Sequence, residues 1–350
     1  MGGGERLVLT MAQALGADLA YAYREASTYE DDAFPAGTLD LRLPPALRRP
    51  RLRTLAMPFW FSRARAAAAR YDTRVFSGVA APFAAPRKGS GRNIFYCHTP
   101  PRFLFDMRDH FERRAGWSLP AQRAALGWFE RNYRRAVERM DLILTNSRTT
   151  QERIRRYLGR DSVVVHPPCD TGRFVWQGQG DFYLSTARLT GLKRVDVIVD
   201  AFLRMPDRRL VVASGGEDLE RLKARAAGAP NIEFLGWVDE ARLVDLIGNA
   251  IATIYVPREE DFGMSPVESM SAGKPVIGVA EGGLLETVVD GRTGTLLPRD
   301  FDAAALAEAV SEMDASRALS MRAACEARAS EFDVEHFVSS LRAAVGQARG

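Results

Sequence analysis

The chain is predicted to be an α/β protein with two Rossmann-like parallel-sheet domains, and three observations lead there. Its 350 residues are enough for two domains of ordinary size. Short β-rich apolar runs alternate with helical patterns almost throughout, as in parallel sheets covered by helices on both faces. A stretch rich in Pro and Gly, Pro167-Pro168-Cys169-Asp170-Thr171-Gly172 followed by Gln177-Gly178-Gln179-Gly180, lies between two such series. The expected division is 1–170, 171–330 and a closing helical segment 331–350.

In chain order, Gly2-Gly3-Gly4 comes first, and Glu5 to Met11 already reads as a helix. A Rossmann-like domain opens with a strand before such glycines, and that strand is absent here. It would sit centrally, so its loss should cost stability. Strands are expected at Leu19–Tyr23, Arg74–Ser77, Asn93–Cys97, Leu142–Thr145 and Ser162–His166. A second series falls at Phe182–Thr186, Leu210–Ala213, Ile232–Leu235, Ala252–Val256, Val276–Val279 and Thr295–Leu297. Pro120–Arg139, Val195–Met205, Ala303–Met313 and Val334–Val345 have amphipathic helical spacing. Leu47–Arg70 mixes arginines with Leu55, Phe59, Trp60 and Phe61; it reads as a core helix beside a basic loop, or as an interfacial element. Ligands of such sheets bind beyond the carboxyl ends of the strands, which would put the site in a cleft between the domains.

Composition narrows the setting. Three widely spaced cysteines, Cys97, Cys169 and Cys325, form no CxxC pair, which points to a reducing cytoplasm. No apolar run approaches the roughly 20 residues that span a bilayer, and the N-terminus lacks a signal-peptide layout. The expected location is cytoplasmic, with peripheral contact at the inner face of the membrane left open. The net charge of +4 hides an asymmetry: residues 1–165 carry 28 basic and 16 acidic side chains, the remainder 20 and 28. A basic first half suits an anionic lipid surface or acceptor, or is simply a solvated Arg-rich surface.

The chemistry concentrates in the second half. Arg258-Glu259-Glu260-Asp261-Phe262-Gly263-Met264-Ser265-Pro266-Val267-Glu268 follows a strand and runs into a helix. Free amides and the positive dipole end of a helix N-terminus make an anion site, and a diphosphate is its natural occupant. Gly263 permits close backbone approach. Glu260 before the helix and Glu268 within it suit polyol recognition, because carboxylates accept hydrogen bonds from vicinal hydroxyls. Eight helical positions span about 12 Å, beyond the roughly 5–9.5 Å of a hydrolytic carboxylate pair.

Further on come Ala272-Gly273-Lys274-Pro275-Val276-Ile277, Glu281-Gly282-Gly283-Leu284-Leu285-Glu286 and Asp290-Gly291-Arg292-Thr293-Gly294. Together with E-x7-E, these resemble the donor-binding region of family 4 retaining glycosyltransferases of the GT-B fold. Arg188 and Lys193 match the family's Arg-x4-Lys element, and a guanidinium and an ammonium can neutralise a departing diphosphate. Gly236, Trp237 and Val238 resemble its base-pocket loop. Ser214-Gly215-Gly216-Glu217 departs from the family's Gly-acid-Gly-Pro turn. Tyr96-Cys97-His98-Thr99-Pro100-Pro101-Arg102 resembles an element of a bacterial subgroup that builds O-antigen and related polysaccharides, many of them mannosyltransferases.

The resemblance covers nearly the whole chain and is weakest over 24–90. It implies a GT-B fold with two Rossmann-like domains facing a central cleft, an N-terminal acceptor domain, a C-terminal nucleotide-sugar domain, and a last helix crossing back to the first. It implies transfer of a hexose with retention, mannose from GDP-mannose by subgroup, onto a glycan or polyprenyl-diphosphate-linked oligosaccharide. Glu260, His98, Arg188 and Lys193 would serve the reaction. Gly3, Gly4, Gly236, Trp237, Val238, Asp261, Phe262, Gly263, Met264 and Glu268 would hold the donor, and Arg102 the acceptor. No DxD element or ligand-spaced His/Cys cluster is present, so neither a metal nor another cofactor is expected, and nucleic acid is not an expected partner. The alternatives are a nucleotide-sugar epimerase of the same architecture and a nucleotide-sugar-binding protein that has lost catalysis.

Overall fold

A computed structural model of the chain describes residues 3–25, 31–87, 91–106 and 119–346. Gly2 of the opening glycines and the segment 107–109 after Arg102 lie outside them. The chain divides into two compact units, Met1–Pro167 with Val338–Gly350, and Pro168–Phe337. The second unit starts three residues earlier than the expected 171. The reason is local: the Cys169 N–H donates to Phe332 O (2.8 Å), and Cys169 bridges Asp333. The helix Val334–Gly346 begins in the second unit and ends in the first.

In the first unit, β1 (Ala20–Tyr21) pairs with β2 (Leu39–Asp40). A separate parallel sheet runs β3 (Thr73–Ser77), β4 (Arg92–Cys97), β5 (Leu142–Thr145) and β6 (Val163–Val164) in that order. β4 is central, and Ile94, Phe95, Tyr96 and Cys97 are all buried, as a strand covered on both faces requires. Phe129 and Tyr133, one helical turn apart on Leu119–Val137, pack with Phe95 and Phe83 in the core. The helix Arg148–Leu158 is capped at one end by Ser147, whose Oγ accepts from the Thr150 N–H (3.0 Å), and closed by Gly159 at φ +63°. Among the described residues no strand precedes the helix Gly3–Leu15, and β1 and β3 are each paired on one side only.

Leu47–Arg70 folds as the helix Pro50–Arg63 and the short turn Arg65–Ala68. Trp60 donates to Leu41 O (2.8 Å) on its inner side, while Leu52 and Phe59 stay exposed. No helix among the described residues is long and apolar enough to cross a membrane.

The second unit holds a six-stranded parallel sheet. In chain order its strands are β7 (Phe182–Ser185), β8 (Arg209–Val212), β9 (Ile232–Phe234), β10 (Thr253–Tyr255), β11 (Val276–Val279) and β12 (Gly294–Leu297). Their spatial order is β12-β11-β10-β7-β8-β9. The chain starts at β7, winds outward through β8 and β9, then returns to β10 on the other side. The order therefore reverses between β7 and β10, and the carboxyl ends of those two strands define the crevice where doubly wound sheets bind ligands. β12 joins the sheet parallel to β11, and the Asp290–Gly294 segment leads into it as a turn.

Candidate functional site

The loops leaving β7 and β10 carry the polar cluster. After β7, a 3-10 turn at Gly191–Lys193 projects Lys193. After β10, the chain runs through Pro257 to Gly263 before the helix Met264–Ser271 begins. Lys193 Nζ lies 2.5 Å from Glu260 Oε2 and 2.9 Å from the Tyr255 hydroxyl oxygen, and that hydroxyl donates to Glu260 Oε2 (2.9 Å). All three groups meet at the switch point, with the ammonium 5.2 Å from the Tyr255 ring centre. The Lys193 and Glu260 side chains are 26% and 18% exposed, so the pair is partly shielded but open to an incoming ligand.

Tyr255 is the member of this cluster that the motif reading did not single out. Burial holds its phenol well above the usual range, and the carboxylates Glu260, Glu268 and Asp261 add to the effect. The two ends of the E-x7-E segment thus act on one hydroxyl at the tip of β10. The signal was present in the sequence, a Tyr as the last residue of a strand entering the motif, but strand-end tyrosines are too common to single out.

Gly263 is the residue before the helix, at φ +93°, ψ +69°, with no side chain to cap the first amides. Those N–H groups have no acceptor within the helix, by helix geometry. The Phe262 ring is buried and packs edge-on against Phe332 (5.5 Å), so its backbone is the part it offers to a ligand. Asp261, Met264 and Glu268 are half-buried around the same turn. The loop Glu281-Gly282-Gly283 after β11 closes the other side. The Gly283 N–H donates to Glu260 O (3.0 Å), and a Cβ on Gly282 would lie 2.3 Å from that same oxygen. Those glycines are a packing requirement of the Glu260 loop.

Arg188 and Trp237 form a second patch of this unit. Arg188 is exposed, with its guanidinium 5.9 Å from the Trp237 ring centre. The Trp237 ring rests on Gly215, where a Cβ would meet its Nε1 at 2.4 Å, yet the residue stays 68% exposed. Gly215 thus explains the departing Ser214–Glu217 turn: a side chain there would displace the indole. Gly236 has φ +69°, and Val238 packs onto an apolar cluster with Leu246 and Ala213. An exposed aromatic face backed by the protein, with an arginine above it, is suited to stack a base.

The first unit gathers its own group. His98 follows β4, and its Nε2 is 2.8 Å from Ser77 Oγ at the end of β3. Its ring packs edge-on against Tyr96 (5.2 Å), and its carbonyl accepts from Thr150 Oγ1 (3.4 Å). Burial pushes the imidazole down to about 4, so it is neutral at pH 7. Gly4, in the first turn of its helix, faces this ring: a Cβ there would sit 3.8 Å from His98 Cε1. Gly3 opens the same helix. Arg102 lies in the turn beyond, with its Nε 3.1 Å from Asp106 Oδ2. Ser77 was not singled out from sequence, because nothing local ties a serine on one strand to a histidine on the next. Among the described residues no group of three or more His, Cys, Asp or Glu could hold a metal ion.

Comparison with known proteins matches both units. Residues 1–173 match the model of Glycosyltransferase Family 4, and residues 172–332 that of Glycosyl transferases group 1. The alpha-1,3/1,6-mannosyltransferase ALG2 of Dictyostelium discoideum is 28% identical over 65% of this chain and 63% of its own length. The chain thus spans under two thirds of that relative. The GDP-mannose-dependent alpha-(1-6)-phosphatidylinositol monomannoside mannosyltransferase of Mycolicibacterium smegmatis is 28% identical over 85% of this chain and 81% of its own. Among solved structures, sucrose-phosphate synthase from Thermosynechococcus elongatus superposes with a TM-score of 0.79 at 18% identity, covering 98% of this chain and 92% of that one. Anabaena HepE in complex with UDP and glucose gives 0.75 at 18%, covering 99% and 96%. These likenesses show the GT-B fold.

Proposed function

The chain belongs to the family 4 glycosyltransferases, and from that premise we propose that it transfers mannose from GDP-mannose to a glycan or lipid-linked oligosaccharide. The observation that carries this reading is the Lys193–Glu260–Tyr255 cluster at the β7/β10 switch point, beside the uncapped helix start at Gly263. An ammonium and helix amides suit a diphosphate; a carboxylate suits sugar hydroxyls. The choice of mannose rests on relatives that are mannosyltransferases, one of them GDP-mannose-dependent by name.

In this reading Arg188 and Lys193 neutralise the departing nucleotide diphosphate, with no metal ion or other cofactor assigned. The Lys193–Glu260 pair opens as the donor arrives: the phosphate takes the ammonium, and the carboxylate turns to the sugar. Glu268 holds the ribose, and Trp237 with Gly236 and Val238 the base. Gly3 and Gly4 approach the phosphates, Arg102 the acceptor, and neutral His98 hydrogen-bonds at the reacting centre. The acceptor attacks from the leaving-group face with retention, and the phosphate helps to take its proton. Work is done at a membrane surface if the acceptor is lipid-linked.

The test is transfer of radiolabelled mannose from GDP-mannose into glycan and organic-solvent extracts. Lys193→Ala and Glu260→Ala should each lower the rate about 10²–10³-fold, the scale of lost transition-state charge stabilisation. A Glu260→Ala enzyme with full transfer refutes its role. Epimer formed without acceptor favours the epimerase, and binding without turnover on any extract a degenerate enzyme.

A further inference from the structure

Three described residues other than glycine have positive φ, and two of them directly flank the paired side chains. Arg194 (φ +50°) follows Lys193, and Glu259 (φ +56°) precedes Glu260. Such a conformation is disfavoured for side-chain-bearing residues and persists only where the surroundings impose it. What imposes it is one connected polar network.

Its centre is Glu281, at the start of the loop after β11, whose side chain is only 9% exposed. Glu281 Oε1 accepts from the Glu259 backbone N–H (2.8 Å), while Oε2 lies 3.3 Å from Arg299 Nε. The same guanidinium donates through Nη2 to Glu259 Oε1 (2.9 Å), so Glu259 is held at both its backbone and its side chain. Arg194 is buried. It donates Nε to Val256 O (2.7 Å), Nη1 to Arg299 O (3.1 Å) and Nη2 to Pro257 O (3.4 Å). The Arg258 N–H closes the circuit on Leu192 O (2.8 Å).

We infer that Glu281 and Arg299 are positioning residues: through Glu259 and Arg194 they set the angle at which Glu260 and Lys193 meet the donor. This rests on the donor-site reading above. Neither residue touches the Lys193–Glu260 contact, so their effect is indirect. The consequence is selective. Losing Glu281 frees the Glu259 peptide, and Glu260 loses its aim at the sugar. The Arg188–Trp237 patch is built elsewhere in the unit and keeps its grip on the nucleotide.

The intact chain and its Glu281→Ala and Glu281→Gln variants are titrated with GDP and with GDP-mannose, alongside thermal unfolding. The wild type is expected to bind both. Glu281→Ala should weaken GDP-mannose at least about fivefold while GDP stays within about twofold, and Glu281→Gln, which keeps an acceptor for the Glu259 N–H, should recover most of the loss. The positioning role is overturned if Glu281→Ala keeps the wild-type ratio, or if both ligands weaken together with a lowered Tm, the mark of a purely structural carboxylate. A wild type that binds neither overturns the donor-site reading and this one with it.

Discussion

At the scale of single residues, charge and burial decide what each group can do. His98 is half-buried and neutral, so it serves as a hydrogen-bonding group at pH 7 rather than a cation. Its folded value, about 4, lies below the ordinary 6.5, so between those values the unfolded chain binds more protons. Stability must then fall as the pH drops from about 6.5 towards 4 and is not affected above that window. The loss attributable to this ring is up to about 2 kcal/mol between pH 7 and pH 5, reduced by whatever hydration the half-buried ring keeps. Urea titrations at the two pH values should show it, and His98→Gln should flatten that part of the dependence; an unchanged slope would remove the protonation penalty. Lys193, Glu260 and His98 were legible as single letters because a motif surrounds each. Tyr255, Ser77 and Glu281 were not, since each acts on a partner at least four positions away that only the fold brings near.

At the scale of elements, the site is built from strand ends and the loops that leave them. Most strands lie within a residue or two of their sequence-based bounds, because buried parallel strands are continuous apolar runs. β1 and β6 shrink to two residues each, and β2 was not anticipated, since short edge strands carry too little pattern. The turn into the helix Met264–Ser271 was legible from Gly263; the burial of Phe262 was not. At Gly263, φ +93°, a Cβ would lie slightly tighter than ordinary contact, 3.3 Å from Leu284 Cδ1 and 3.4 Å from Pro266 Cγ, so those side chains need give by only a few tenths of an ångström. The cost of Gly263→Ala is therefore mainly conformational, about 1–3 kcal/mol. Its Tm should fall by about 2–12 °C, and its affinity for GDP should weaken because the helix amides shift. A calorimetric scan that matches the wild type would mean the turn tolerates a side chain.

At the scale of the whole molecule, two α/β units with opposite formal charge were readable from alternation and composition. The strand orders were not, because order depends on which edges meet, and sequence separation does not reveal that. Yet the order is what matters for the site: it brings the β7 and β10 loops, about seventy residues apart, into one crevice. The helix Val334–Gly346 likewise joins the first unit late in the chain, where Arg342 donates to Ala14 O (3.0 Å). The central claim, that the second unit's switch point is a sugar-nucleotide site, is tested most directly by thermal shift of the intact chain with GDP-, UDP- and dTDP-sugars. A ligand at about 100 times its Kd should stabilise by about 2.7 kcal/mol. The account predicts a clear rise in Tm with GDP-mannose, larger than with the other sugars and diminished in Glu260→Ala. No rise with any sugar nucleotide would contradict it.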